Sequence, residues 1–406
     1  MRAYKVGASV VAVAVVLGAI GAPAGARRRH APLDGEGVGL ELIANIEYAG
    51  GTDMEFITTK GRDYALTGAA PGVGGAEAGA MRIIDVTDPE KPFLAATLEC
   101  SLYQMDIQVS HDQKTAIMAA DSAGGPDACL GVGLRGFMTV DISNPLKPKP
   151  AGFADIANGS HNTTAHPKKP FVYNSSSGEN PGVIDIWSIK NPKKPELVGS
   201  YTNLPSAPHD ISFSDDGKMA VVAGGGKNIE ILDTTDPSAP TLLTKSVCAG
   251  CSLAHDGKFT PDGTHVIIGD EAAGGGTFPC PGGALYFYEL NRTPPVPVLV
   301  PIGIYEPEEV VFAAEGQTAP ASCTSHVMDV SPDGTHLAVS WYSAGTRYLD
   351  ITNMTGVTIG ANGNGVKEVG WFIPEGGDSW SSKFYKGPYI YSNDILRGFD
   401  VFKISD

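Results

Sequence analysis

Met81-Arg82-Ile83-Ile84-Asp85-Val86-Thr87-Asp88-Pro89 reads as a strand running into a turn, and the chain repeats it. Phe137-Met138-Thr139-Val140-Asp141-Ile142-Ser143-Asn144-Pro145 and Ile229-Glu230-Ile231-Leu232-Asp233-Thr234-Thr235-Asp236-Pro237 keep the same order. Variants stand at Val183 to Pro192, Leu285 to Pro294, Arg347 to Met354 and Gly398 to Asp406. Branched and aromatic residues favour extended backbone, while Asp or Asn before Pro starts a turn. Each of the seven copies is preceded by two short alternating strands and a Gly-rich link, and all but the last are followed by another strand. Four short antiparallel strands per unit and seven units predict an all-β, seven-bladed β-propeller.

The last unit stops after its third strand, at Ile404. Its missing fourth strand is legible at the other end, where Glu41-Leu42-Ile43-Ala44-Asn45-Ile46-Glu47-Tyr48 matches the fourth strands Glu196 to Tyr201 and Glu368 to Phe372. Pairing the N- and C-terminal strands in one blade closes the ring and removes a sheet edge, so the propeller is expected to span residues 40–406.

Arg2 and Lys5 precede an apolar run from Val6 to Ile20, and Ala24-Gly25-Ala26 offers small residues for cleavage. That pattern predicts a signal peptide over 1–26, an N-terminal extension over 27–39, and a secreted, extracellular or cell-surface location. Without Arg2 and Lys5 the charge balance is 27 minus 45, or -18, with no basic block beyond Arg27, Arg28 and Arg29. Nucleic acid is therefore excluded as an expected partner, as is an integral membrane segment; an extracellular protein, a glycan or a small molecule remains. Six cysteines in an exported chain favour disulfides, and six allow 15 connectivities. Cys100 with Cys129, Cys280 with Cys323, and Cys248 with Cys251 are preferred because each pair brackets a Gly/Pro-rich excursion or a turn. Cys248-Ala249-Gly250-Cys251 also has a competing reading as a redox or metal CxxC.

Gly79 to Pro89, Gly136 to Pro145 and Arg397-Gly398-Phe399-Asp400-Val401 resemble the LVIVD repeat of exported bacterial proteins. Ser322 to Tyr342 and Leu253 to Glu271 resemble the later blades of its secreted members. The resemblance covers essentially the whole chain after the leader; it implies the propeller fold and leaves the function open.

In four consecutive repeats the same position is histidine: His161, His209, His255 and His326. The last three stand seven residues before the turns Asp216-Gly217, Asp262-Gly263 and Asp333-Gly334. The equivalent positions in the other blades are Asp53, Met105 and Ser379. Innermost strands line a propeller's channel, so the register predicts four imidazoles at one level, a donor set suited to Cu, Fe or Zn. Carotenoid-cleaving oxygenases, seven-bladed propellers that hold iron on four histidines, supply an analogy for a site but not for a reaction. The plainer reading has each imidazole hydrogen-bonding a neighbouring blade. Glu271, Tyr342, Asp394 and Arg397, at the ends of second strands or in the links after them, are candidate catalytic residues. Asn162, Asp210 and Asp256 follow three of the histidines and are candidate orienting groups. The link Ala272 to Gly283 is expected to fold over the channel mouth. Two function classes follow: an exported binding scaffold with an axial four-histidine metal site, or a metal-dependent enzyme of oxidase or oxygenase type acting in the channel.

Overall fold

The computed structural model describes residues 33–405 apart from 124–128, 130–132, 134, 177–181, 272–282, 294–295 and 309–322. The predicted signal peptide, most of the predicted lid link, and Cys280 lie outside the described residues.

Among the described residues seven sheets, antiparallel but for one added strand, follow one another around the ring. Blade one runs Gly51–Thr59, Arg62–Ala69, Ala80–Asp85, Phe93–Glu99, each strand paired with the next. The inner strands of blades two to six begin at Leu102, Asn162, Asp210, Ala254 and Met328. Blade seven takes Ser379–Phe384, Tyr389–Asp394 and Gly398–Ile404 from the C-terminal end and Leu40–Glu47 from the N-terminal end. Their register runs from Leu40 opposite Ile404 to Glu47 opposite Gly398, so the ring closes as the sequence predicts. Asn45 Nδ2 donates to Asp400 Oδ1 at 2.7 Å, and Leu40 and Leu42 are buried with Phe402, Ile390 and Phe372.

The repeated residues have local physical work. The aspartate closing four of the third strands turns back on its own chain: Asp85, Asp141, Asp233 and Asp350 accept from the backbone amide two residues on at 2.9 to 3.0 Å. The hairpin aspartates Asp216, Asp262 and Asp333 do the same, and each precedes a glycine at positive φ. These segments are the hairpin turns that the sequence predicts.

Between blades the strands pack on apolar side chains. Ile57, Leu66 and Met81 of blade one meet Ile107, Met118 and Met138 of blade two, all fully buried. Each such aliphatic side chain contributes about 1.5 to 3 kcal/mol by leaving water.

Blades five and six depart from four strands. Gly356–Ile359 adds to blade five parallel to Val298–Glu306, and Gly35–Val38, within the segment read as an extension, adds to the edge of blade six against Lys367–Pro374. Among the described residues no helix is long and apolar enough to cross a membrane. Cys100–Cys129 and Cys248–Cys251 form disulfides, with Cα atoms 5.0 and 5.3 Å apart. Cys323 is disulfide-bonded too.

Candidate metal centre

Bulges aim the inner strands at the channel. In blade five the register slips between Ala254 and Asp256, leaving His255 as the extra residue. In blade seven it slips between Ser379 and Ser381 and leaves Trp380, and in blade two it slips on both sides of Gln104. A bulged residue is turned away from the ladder, and His255, Trp380 and Gln104 all line the central cavity.

The four predicted imidazoles form one row. Ring centroids are 4.8 Å apart from His161 to His209, 4.1 Å from His209 to His255 and 4.2 Å from His255 to His326. Trp380 and Tyr342 extend the row beyond His326, at 4.4 and 4.9 Å. Glu271, just past the second strand of blade five, reaches into it. Its carboxylate oxygens lie 3.6 Å from His255 Nε2 and 3.7 Å from His326 Nε2, and one accepts the Tyr342 hydroxyl at 2.7 Å.

One donor atom each from His209, His255 and Glu271 falls within 4.8 Å of the others. Donors on a tetrahedral zinc at about 2.1 Å are about 3.4 Å apart, so these side chains would close in slightly around an ion. His326 Nδ1 stands 2.7 Å from the Trp380 carbonyl, the kind of backbone bond that fixes a ligand tautomer and leaves Nε2 to coordinate. His209 Nδ1 and His255 Nδ1 are buried without a hydrogen-bond partner among the described residues. His161 differs: Nδ1 is 2.9 Å from Asp121 Oδ2, and Nε2 is 3.2 Å from Gln104 Nε2.

Burial, reinforced by neighbouring imidazoles, holds His209 and His255 well below the ordinary histidine range. Burial pushes His326 down to about 4 against the Trp380 carbonyl, which raises it. Burial also acts to lower His161, but the charge and hydrogen bond of Asp121 outweigh it and the ring is raised. Burial pushes Glu271 up to about 7, with the Tyr342 hydrogen bond working against it. Three neutral imidazoles beside a carboxylate that is costly to ionise form a donor set that a divalent cation would stabilise.

Two positions are corrected. The register predicts Met105 at the channel level, but Gln104 and Met105 both have positive φ, and the rotation turns Met105 into the core with Ile107 and Met118. Gln104 takes its place, since an apolar side chain gains by burial between blades. Ser379 likewise lies in a buried hydroxyl network with Ser340 and Ser392, and Trp380 meets His326 instead.

Of the four candidate catalytic residues, Glu271 and Tyr342 reach the histidine row. Asp394 accepts from the backbone amides of Asp378, Leu396 and Arg397 at 2.7, 2.8 and 3.0 Å, and Arg397 pairs with Asp400 at 3.2 Å. Those bonds set the turn of the blade-seven hairpin. Asn162 accepts from Gln104 at 3.3 Å, while Asp256 pairs with Lys258 at 2.9 Å and Asp210 accepts its neighbouring Ile211 amide at 2.7 Å. Asp121, Gln104 and Trp380 escape sequence reasoning, because bulges and inter-blade packing, rather than the repeat, bring them to the row.

The LVIVD repeat profile matches residues 126–152. No curated protein matches the chain. A functionally unknown protein from Desulfotomaculum acetoxidans DSM 771 is similar with a TM-score of 0.54 at 17% identity, covering 75% of this chain and 84% of its own. The Cps50 (Swd1) β-propeller domain of Myceliophteria thermophila reaches a TM-score of 0.60 at 10% identity, covering 90% of this chain and 100% of its own. At these identities the likeness concerns the fold. The chain therefore carries an LVIVD repeat within a seven-bladed β-propeller.

Proposed function

We propose that this protein is an exported propeller scaffold whose channel holds one transition metal, Cu, Fe or Zn, on His209, His255 and His326 of the axial histidine row with Glu271 as the anionic ligand, while His161 ends the row on Asp121. The observation that carries the reading is the buried group His209, His255 and Glu271, whose donor atoms lie within 4.8 Å of one another. Imidazole nitrogen and carboxylate oxygen suit these metals, and the burial of His255 and Glu271 excludes competing water. Export is supported by the leader-like residues 1–26 and the two disulfides.

A second reading, a metal-dependent oxidase or oxygenase, is favoured by the Tyr342 hydroxyl on Glu271. A carboxyl near 7 with a phenol donating to it can hold and release a proton beside the metal. The metal would supply the redox or Lewis-acid chemistry, and Glu271 and Tyr342 would supply the proton.

Elemental analysis and equilibrium metal titration of the purified protein test the site. Wild type is expected to hold one equivalent, and His209→Ala and Glu271→Gln to bind at least about tenfold more weakly with unchanged circular dichroism. Wild-type protein that is metal-free and takes up none of the three metals overturns the proposal.

A further inference from the structure

A cavity of about 440 Å³ is lined in part by His255 and His326 of the histidine row. We propose that this cavity binds a small organic cation, a protonated amine carrying an apolar group. The inference goes beyond the metal reading and concerns the metal-free protein.

The inner strands turn Asp53, Glu55, Asp106, Asp210 and Asp329 toward this space. Two lysines answer part of that charge. Lys383 Nζ lies 3.2 Å from Asp53 and 2.8 Å from Glu55, and Lys258 Nζ lies 2.9 Å from Asp256. Asp106 and Asp329 have no ion pair among the described residues. Asp106 accepts from Thr163 at 2.8 Å and shares a side-chain hydrogen bond with Asp53, and Asp329 accepts from the Phe384 amide at 3.0 Å. Burial and then the charge of Asp53 hold Asp106 well above the usual carboxylate range, and burial lifts Asp329 to about 6. The wall therefore holds more carboxyl groups than its two lysines pair, and a cation entering it favours the ionised form of those that burial keeps protonated.

A second observation comes from outside the acidic groups. His255 lines the same cavity, is 3% exposed, and keeps Nδ1 without a hydrogen-bond partner among the described residues. The nitrogen itself is closed off from the cavity, so an ammonium N–H satisfies it only as the ring turns toward the ligand.

Five aromatic side chains form another part of the wall. Phe56 stacks on Tyr385 with centroids 4.4 Å apart and planes 7° from parallel, and Phe213, Trp380 and Phe384 add further faces. Aromatic faces attract organic cations and cover hydrocarbon. A hard divalent ion instead needs six to eight oxygens closing on one point, and this cavity has the volume of a small-molecule site of about 300 to 1,000 Å³.

Calorimetry on chelator-treated wild type compares three probes of like shape: 2-phenylethylamine, 2-phenylethanol and 3-phenylpropionate. The amine is expected to bind at least about tenfold more tightly than the alcohol, and the carboxylate not at all. Asp106→Asn and Asp329→Asn are each expected to weaken the amine severalfold while the alcohol is unchanged. Equal binding of amine and alcohol to wild type overturns the proposal without recourse to a variant. Calcium or magnesium binding in the cavity, with no preference for amine over alcohol, marks an inorganic cation site and overturns it equally. Because the protein is metal-free in this assay, failure here is distinct from failure of the metal site.

Discussion

Replacing His326 with Asn removes a titrating ring and keeps a hydrogen-bond donor facing the Trp380 carbonyl, where Nδ1 stands at 2.7 Å. In metal-free protein burial pushes this imidazole down to about 4, from an ordinary value near 6.5. The unfolded chain therefore takes up the proton at higher pH than the folded one. Stability contributed by the neutral ring is complete above about pH 6.5 and is lost as pH falls through the window toward about 4. The gap of about 2.5 units corresponds to ~3.4 kcal/mol at the bottom of the window and ~2 kcal/mol by pH 5. Raised carboxylates such as Asp394 and Asp378 act in the opposite direction, since the folded chain binds their protons more readily. They occur in both proteins, so the difference between wild type and variant isolates the histidine.

Urea unfolding of both proteins with chelator, at pH 7.5 and pH 5.0, measures it. The variant is expected to be less stable than wild type at pH 7.5, having lost ring contacts with His255, Tyr342 and Trp380. At pH 5.0 it should recover about 2 kcal/mol relative to wild type. A double difference below about 0.5 kcal/mol, or one of opposite sign, refutes the account of His326 as a ring kept neutral by burial.

Closure of the ring makes Leu42→Ala cost about 2 to 4 kcal/mol in urea unfolding, because the side chain is 5% exposed and packs into the composite blade; a midpoint shift worth under about 0.5 kcal/mol would contradict that packing. Deleting residues 40–48 should leave Gly398–Ile404 as an open edge and cause aggregation, which light scattering would detect. Peptide mapping without reduction should recover Cys100 joined to Cys129, Cys248 to Cys251, and Cys280 to Cys323; free thiol at Cys280 would dispose of the last pairing. Chain entropy makes the 29-residue link worth up to about 3.6 kcal/mol and the three-residue link up to about 1.6 kcal/mol, so removing the first pair should lower stability more.

What the residues determine by themselves is local and periodic. Alternation in Met81 to Asp85 and its counterparts makes strands, and Asp85, Asp141 and Asp233 make the turns after them through bonds spanning two residues. Repetition of those units dictates a ring, and an unfinished last unit dictates which ends meet. The same symmetry made the histidine row legible, because one repeat position maps to one level of the channel. Tertiary structure decided what depends on distant contacts. Bulges exchanged Met105 for Gln104 and Ser379 for Trp380, since a one-residue slip reverses the face a side chain occupies. Glu271 meets Tyr342 across 71 residues, and Lys383 meets Asp53 across 330. The extra strand on blade five pairs Gly303 with Gly356, a partnership that no local pattern encodes. Strand and turn preferences act over a few neighbours and so appear in the sequence, whereas the charge and shape of the channel arise only when seven separately encoded inner strands are set around one axis.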